Sequence, residues 1–64
     1  MLLKSKKLFI EISINAKTEI LKSLKVQLNF LNMNGLYTEF NQLSAYELKT
    51  LKEINTLYNL KRAL

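Results

Sequence analysis

The chain has 64 residues, with ten Lys and Arg against five acidic residues, so its net charge is +5. It contains no Cys, His, Trp or Pro, which excludes disulfides, metal sites built on thiolate or imidazole, and nucleophilic catalysis by Cys or His. All five acids are Glu and no two are spaced to share a site. We therefore expect one domain over residues 1–64 that is not an enzyme and takes no cofactor, metal or small-molecule substrate.

The positive charge favours a polyanionic partner, either nucleic acid or an anionic membrane surface. A lysine-rich surface that serves only solubility is the alternative. No apolar run approaches the roughly 18 residues of a membrane-spanning helix, so we expect no transmembrane segment.

Residues 1–13 are predicted to form an extended basic arm. Residues 1–7 hold three lysines and no acid, which is typical of a segment that becomes ordered on a polyanion. From Leu8 to Ile14, apolar residues occupy every second position, a period that indicates extended chain. The alternatives for these residues are the first turn of a helix and a strand that adds to another protein's sheet.

A first helix is predicted from about residue 14 to residue 34, with Ser13 or Asn15 as its N-cap. One face repeats apolar side chains at helical spacing; its members are Ile14, Leu21, Leu24, Leu28 and Leu31. Further apolar residues flank this face, namely Ile20, Val26, Phe30 and Met33.

The pair Asn34-Gly35 is predicted to end the first helix, because glycine adopts the left-handed conformation without strain. Residues 35–43 are then a connecting loop. Leu36, Tyr37 and Phe40 lie in this loop. They either fold back onto the end of the hairpin and close its core, or form a small exposed patch that contacts another protein.

A second helix is predicted over about residues 45–62. Ser44 and Glu47 have the spacing of a capping box, and Leu43 and Leu48 that of a hydrophobic staple. Its apolar stripe comprises Leu48, Leu51, Ile54, Leu57 and Tyr58. Lys61 and Arg62 place positive charge at the C-terminal end, where the helix dipole favours it.

The predicted fold is therefore all-α, an antiparallel two-helix hairpin with an extended basic N-terminal arm. Two helices bury only one seam between them, so apolar surface is left over for an outside partner. The candidate RNA-binding residues are Lys4, Lys6, Lys7, Lys22, Lys25, Lys49, Lys52, Lys61 and Arg62. Lysine contacts phosphate as a point charge, so the expected attraction is salt-dependent and tolerant of sequence.

Three parts of the chain, in order, resemble parts of one known family. Ser13 stands where that family has a serine that begins its first helix, and LKVQLNFLNMN (24–34) and LKEINTLYNLKR (51–62) resemble its two helical motifs. Within the second of these stretches, the residues that agree with the family's motif are Ile54, Thr56, Asn59, Lys61 and Arg62. On these motifs the chain resembles the universal large-subunit ribosomal protein number 29 family.

This resemblance implies a structural constituent of the large ribosomal subunit that binds ribosomal RNA near the polypeptide exit tunnel, beside neighbouring ribosomal proteins. It also implies a location on the ribosome, in a bacterial cytoplasm or inside a mitochondrion or plastid. The alternative function is a small regulator that forms a homodimer and docks on a protein target through Leu36, Tyr37 and Phe40. A protein bound to a membrane surface is the third possibility.

Overall fold

Two helices joined by a tight turn form an antiparallel hairpin, in a computed structural model that describes the backbone of residues 2–64 and the side chains of residues 5–64. Helix α1 spans Leu2–Met33 and helix α2 spans Tyr37–Ala63. The hairpin measures 51 × 15 × 11 Å. The prediction of an all-α hairpin is confirmed, and residues 2–64 contain no strand.

The predicted extended arm over residues 1–13 is wrong, because α1 is helical from Leu2 onward. Ile10 and Ile14 are four residues apart and both face α2, whereas Leu8 and Ile12 are exposed. An alternation of apolar residues over seven positions therefore also fits a helix that is apolar on two opposite sides. Met1, the first residue of the predicted arm, lies outside the described residues.

A Schellman motif ends α1 at the predicted pair. Gly35 has φ of +70°, its N–H donates to the Asn32 carbonyl at 3.2 Å, and the Leu36 N–H donates to the Leu31 carbonyl at 3.0 Å. The Asn34 side-chain amide adds a 2.7 Å bond to the Phe30 carbonyl. These bonds satisfy carbonyl groups that the end of a helix leaves unpaired, and they turn the chain back on itself.

Gly35→Ala is expected to lower the free energy of unfolding by roughly 1–2 kcal/mol, because a Cβ strains the left-handed conformation. No atom lies within 4 Å of the position of that Cβ, so the loss comes from the backbone alone. Gly35→Asn is the control and should lose less, since Asn tolerates this region. Urea unfolding of the three proteins measures the difference, and equal stability of wild type and the Ala variant would contradict it.

Helix α2 begins at Tyr37, so the predicted loop over residues 35–43 and the capping box at Ser44 are both wrong. Ser44 lies inside the helix and is half-buried. Nothing between Tyr37 and Ser44 disfavours a helix, and Glu39 suits the positive end of the dipole in the first turn. The helix therefore starts as soon as the turn is complete.

The seam is the set of positions on each helix that face the other helix, spaced alternately three and four residues apart. On α1 the seam positions are Ile10, Ile14, Lys17, Leu21, Leu24, Leu28 and Leu31. On α2 they are Phe40, Leu43, Glu47, Thr50, Ile54, Leu57, Lys61 and Leu64. All of these side chains are buried or half-buried.

The predicted apolar face of α1 is confirmed, since Ile14, Leu24 and Leu28 are buried. The stripe predicted for α2 is partly wrong. Ile54 and Leu57 face α1 as expected, but Leu48, Leu51 and Tyr58 are exposed. Glu47 and Thr50 take the inner positions instead.

Thr50, Lys17 and Lys61 of this seam each have a partner, either within their own helix or on the other one. The Thr50 hydroxyl donates to the Tyr46 carbonyl at 2.9 Å, and Lys61 pairs with Glu11 across the helices at 3.2 Å. Within residues 5–64, no buried side-chain polar atom lacks a partner. The seam thus tolerates Thr50 at little loss of hydrogen bonding.

The apolar core is small. Of the side chains the structure describes, three apolar ones are buried, whereas fourteen large apolar ones are exposed. In the same residues, no helix combines the length and apolarity that crossing a bilayer requires. The hairpin therefore leaves much of its apolar surface in contact with water when it is alone.

Candidate nucleic-acid interface

Most of the candidate RNA-binding side chains are exposed. These are Lys6, Lys7, Lys22, Lys25, Lys49, Lys52 and Arg62. Lys61 is half-buried and held by Glu11, and Lys22 lies 3.3 Å from Glu19 one turn before it. The side chain of Lys4 lies outside the described residues.

The exposed basic residues fall into three regions of the hairpin. Lys6, Lys7 and Arg62 are at the open end, where the N-terminal part of α1 meets the C-terminal part of α2. Lys22 and Lys25 lie on the middle of α1, and Lys49 and Lys52 on the middle of α2. Positive charge therefore surrounds the rod rather than covering one face of it.

The residues of the middle of α2 line a surface groove of about 370 Å³, which we call the basic groove. Its lining residues are Lys17, Lys49, Lys52, Glu53, Thr56 and Leu57. Lys49, Lys52 and Thr56 are three and four residues apart, so helical geometry places them on one side of α2. Three ammonium groups face one carboxylate here, which leaves the groove with net positive charge.

Lys17 crosses from α1 and hydrogen-bonds the Glu53 carboxylate at the edge of the groove. This hydrogen bond lowers the pKa of Glu53 below its ordinary value of 4.5; burial opposes the shift, and the charges of Lys17 and Lys49 add to it. Glu53 is therefore ionised near neutral pH. With Lys17 occupied in this pair, Lys49 and Lys52 remain to contact a phosphate.

Lys17 is the residue of this site that the predicted RNA-binding set leaves out. Its position in the sequence could have identified it, since Lys17 lies between Ile14 and Leu21 in an otherwise apolar seam. A lysine in an apolar seam is stabilised by an acidic partner on the facing helix. Glu53 is that partner, and identifying it required knowing which face of α2 meets α1.

Glu53→Gln is expected to reduce the dependence of stability on pH. Because the folded pKa of Glu53 is lowered, its contribution is fully present above pH 4.5 and is lost as the pH falls through the folded value. The wild-type melting temperature should therefore drop more steeply than that of the variant below pH 4.5. If the melting temperatures of the two proteins fall in parallel from pH 7 into the acid range, the pair of Lys17 and Glu53 contributes nothing to stability.

The predicted protein-contact residues lie at the turn. Leu36 and Tyr37 are exposed, whereas Phe40 is half-buried and occupies a seam position. Phe40 alone thus closes the end of the seam, and Leu36 and Tyr37 form a small exposed apolar patch beside it. Phe40 therefore closes the core as the first interpretation expects, whereas contact of Leu36 and Tyr37 with another protein stays a prediction.

A second groove, of about 480 Å³ and almost wholly apolar, lies at the open end of the hairpin. Phe9, Ile10, Leu60 and Leu64 form most of its walls. Among the side chains that the structure describes, no group of three or more acidic residues is placed to hold a metal ion. The surface of the described residues therefore provides positive charge and apolar area for contacts.

Comparisons with protein-family models, with curated proteins and with solved structures found no match to this chain.

Proposed function

We propose that the protein is a non-catalytic structural component of a large ribosomal subunit and binds ribosomal RNA near the polypeptide exit tunnel. The observation that carries this proposal is the combination of a very small apolar core with positive charge on all sides. A small chain with so little buried apolar area gains stability from a partner that binds its folded form. An RNA-rich particle is such a partner.

The distribution of the lysines supports contact with a surrounding RNA more than docking along one duplex. A protein that lies on a single duplex places its basic residues along one face. Here Lys25 and Lys52 are on different helices and the open end carries Lys6, Lys7 and Arg62. Folded ribosomal RNA presents phosphates from several directions to an embedded protein.

The basic groove is the best candidate for a specific phosphate contact. Lys49 and Lys52 provide two point charges on one side of α2. Thr56 lines the same groove, and its hydroxyl donates to the Lys52 carbonyl at 3.0 Å. Glu53 does not repel the phosphate strongly, because Lys17 already compensates its charge. The apolar patch of Leu36 and Tyr37 is then available to a neighbouring ribosomal protein.

The motifs of helices α1 and α2 add to this proposal through their resemblance to the ribosomal family. The turn at Asn34-Gly35 lies at the end of the first of the two similar stretches. The proposed location is the ribosome, in a bacterial cytoplasm or an organelle.

Co-sedimentation tests this function. Lysate from cells that express the tagged full chain is separated on a sucrose gradient after a high-salt wash. We expect the chain in the large-subunit and whole-ribosome fractions, because an embedded protein survives salt that removes surface-bound lysine-rich proteins. Recovery only at the top of the gradient would rule the proposal out.

A further inference from the structure

Helix α2 carries a second line of side chains beside the seam, which we call the α2 stripe. Its members again alternate between four and three residues apart along the whole helix; they are Tyr37, Asn41, Ser44, Leu48, Leu51, Asn55, Tyr58 and Arg62. Every line of positions along one side of a helix has this spacing. What marks the α2 stripe is its content, since Tyr37, Leu48, Leu51 and Tyr58 are large apolar side chains that are exposed. Helix α1 does not cover it, since all members are exposed except Ser44, which is half-buried.

We infer that the α2 stripe is a homodimer interface, in which α2 packs antiparallel against α2 of a second copy about a two-fold axis. The stripe is centred between Lys49 and Thr50, close to the middle of α2. A two-fold axis at this point pairs each stripe residue with the residue equally far from the centre on the other copy. The two helices then overlap over their full length of about 40 Å.

The central layers of this pairing are apolar. Leu48 of each copy faces Leu51 of the other, so four leucines meet around the axis. Their exposed fractions of 54% and 42% in the single hairpin show how much apolar area the contact can remove from water.

The outer layers of the pairing match polar groups with polar groups. Ser44 faces Asn55, and a hydroxyl and an amide can each donate and accept. Asn41 faces Tyr58, which brings a side-chain amide to a phenolic hydroxyl.

The ends of the stripe also match. Tyr37 faces Arg62, and a guanidinium group over an aromatic face is an attractive cation–π arrangement. Beside the centre, Lys52 lies nearly opposite Ala45 of the other copy rather than another charge. No layer of the α2 stripe therefore leaves a polar group against an apolar one.

Antiparallel self-pairing of the outer face of α1 does not match polar with polar and apolar with apolar side chains. Its line of side chains runs through Ile12, Asn15, Val26 and Asn29, with Glu19 and Lys22 at the centre. Antiparallel self-pairing there sets Val26 against Asn15 and Ile12 against Asn29. Leu8 and Met33 at the ends of this line match each other, but two of its four layers would bury an amide against an apolar side chain, which is unfavourable. Self-complementarity thus distinguishes the α2 stripe from this line of side chains on α1.

This dimer is a state of the free chain, because it occupies Tyr37 and Arg62, which the proposed ribosomal function uses for other contacts. It does not rest on that function, and the two have opposite salt dependence. Two chains of charge +5 repel each other, so added salt should strengthen the dimer by screening. RNA binding should weaken with salt. Failure of one proposal therefore leaves the other standing.

The test compares two charged double variants of the full chain by sedimentation equilibrium, over concentrations that reach the high micromolar range. The wild type should approach twice the 7.5 kDa chain mass. Leu48→Lys with Leu51→Lys places four positive charges around the axis and should weaken dimerisation more than tenfold. Leu48→Glu with Leu51→Lys places opposite charges together and should keep the dimer within about tenfold of wild type, roughly 1.4 kcal/mol.

The controls separate dimerisation from folding and from general charge effects. Val26→Lys with Phe30→Lys changes the exposed face of α1 by the same charge and should leave the dimer unchanged. Circular dichroism should show equal helix content in all variants, because each substituted side chain is exposed in the single hairpin.

Mixing two single-cysteine variants tests the register. Ser44→Cys and Asn55→Cys should cross-link to each other faster than either cross-links to itself, because the antiparallel pairing sets Ser44 of one copy opposite Asn55 of the other. The wild type contains no Cys, so no other thiol competes. A monomeric wild type at the highest concentration, equal dissociation constants for the two charged variants, or equal self-linking and cross-linking would each overturn the inference.

Discussion

Leu28→Ala is expected to lower the free energy of unfolding of the hairpin by about 2–5 kcal/mol, because it opens a cavity at a buried seam position. Leu28 is one of three buried apolar side chains among those that the structure describes. A domain of this length has a total stability of roughly 3–10 kcal/mol. The variant should therefore be close to unfolded at room temperature in the absence of a partner.

Val26→Ala is the matched control for this prediction. Val26 lies half a turn away on the same helix and is 71% exposed, so its truncation should change stability by less than about 0.5 kcal/mol. Urea unfolding followed by circular dichroism measures both variants. Equal losses would mean that the buried face of α1 has been misassigned.

Lys49→Gln combined with Lys52→Gln is expected to reduce the salt dependence of RNA binding while leaving the hairpin folded. Each lysine that contacts a phosphate contributes about 0.7–0.9 to the slope of log affinity against log salt. The double variant should therefore lose roughly 1.4–1.8 from this slope. Both side chains are exposed and glutamine forms helices about as well as lysine, so stability should be retained.

A variant with the same net charge change separates local contacts from general attraction. Asn15→Glu combined with Ser23→Glu also lowers the net charge by two, but at exposed positions of α1 outside the basic groove. Filter binding to large-subunit ribosomal RNA over a salt series compares the two. If both variants change the slope equally, Lys49 and Lys52 make no phosphate contact of their own.

The sequence predicts the turn and the buried face of α1 correctly because both depend on local signals. Gly35 is the single glycine of the chain and marks the turn. Ile14, Leu24 and Leu28 repeat at a spacing that only one face of a helix can satisfy. Tertiary structure was not needed to identify either feature.

The start of each helix was mispredicted because a local pattern had two possible readings. The alternation around Ile10 and Ile12 fits a strand, and it equally fits a helix that is apolar on both sides. The Ser44 and Glu47 pair has the spacing of a cap, but the spacing alone does not stop a helix that is already formed.

The sequence of α2 does not predict which of its faces packs against α1, because two neighbouring lines of side chains are both candidates. Leu48 and Leu51 are more apolar than Glu47 and Thr50, yet the latter face α1. The choice follows from the ends of the helix, where Phe40 and Leu64 occupy the seam, and from the pair that joins Lys17 to Glu53. These are long-range relations that a pattern within one helix does not contain.

We propose that RNA completes this hairpin, and a cross-link from the basic groove provides the sharpest test. A photo-reactive amino acid replaces Thr56, which leaves Lys49 and Lys52 intact, and the full chain is irradiated in living cells. We predict cross-links to RNA of the large ribosomal subunit. Cross-links to protein alone, with no RNA attached to the chain, would contradict the claim.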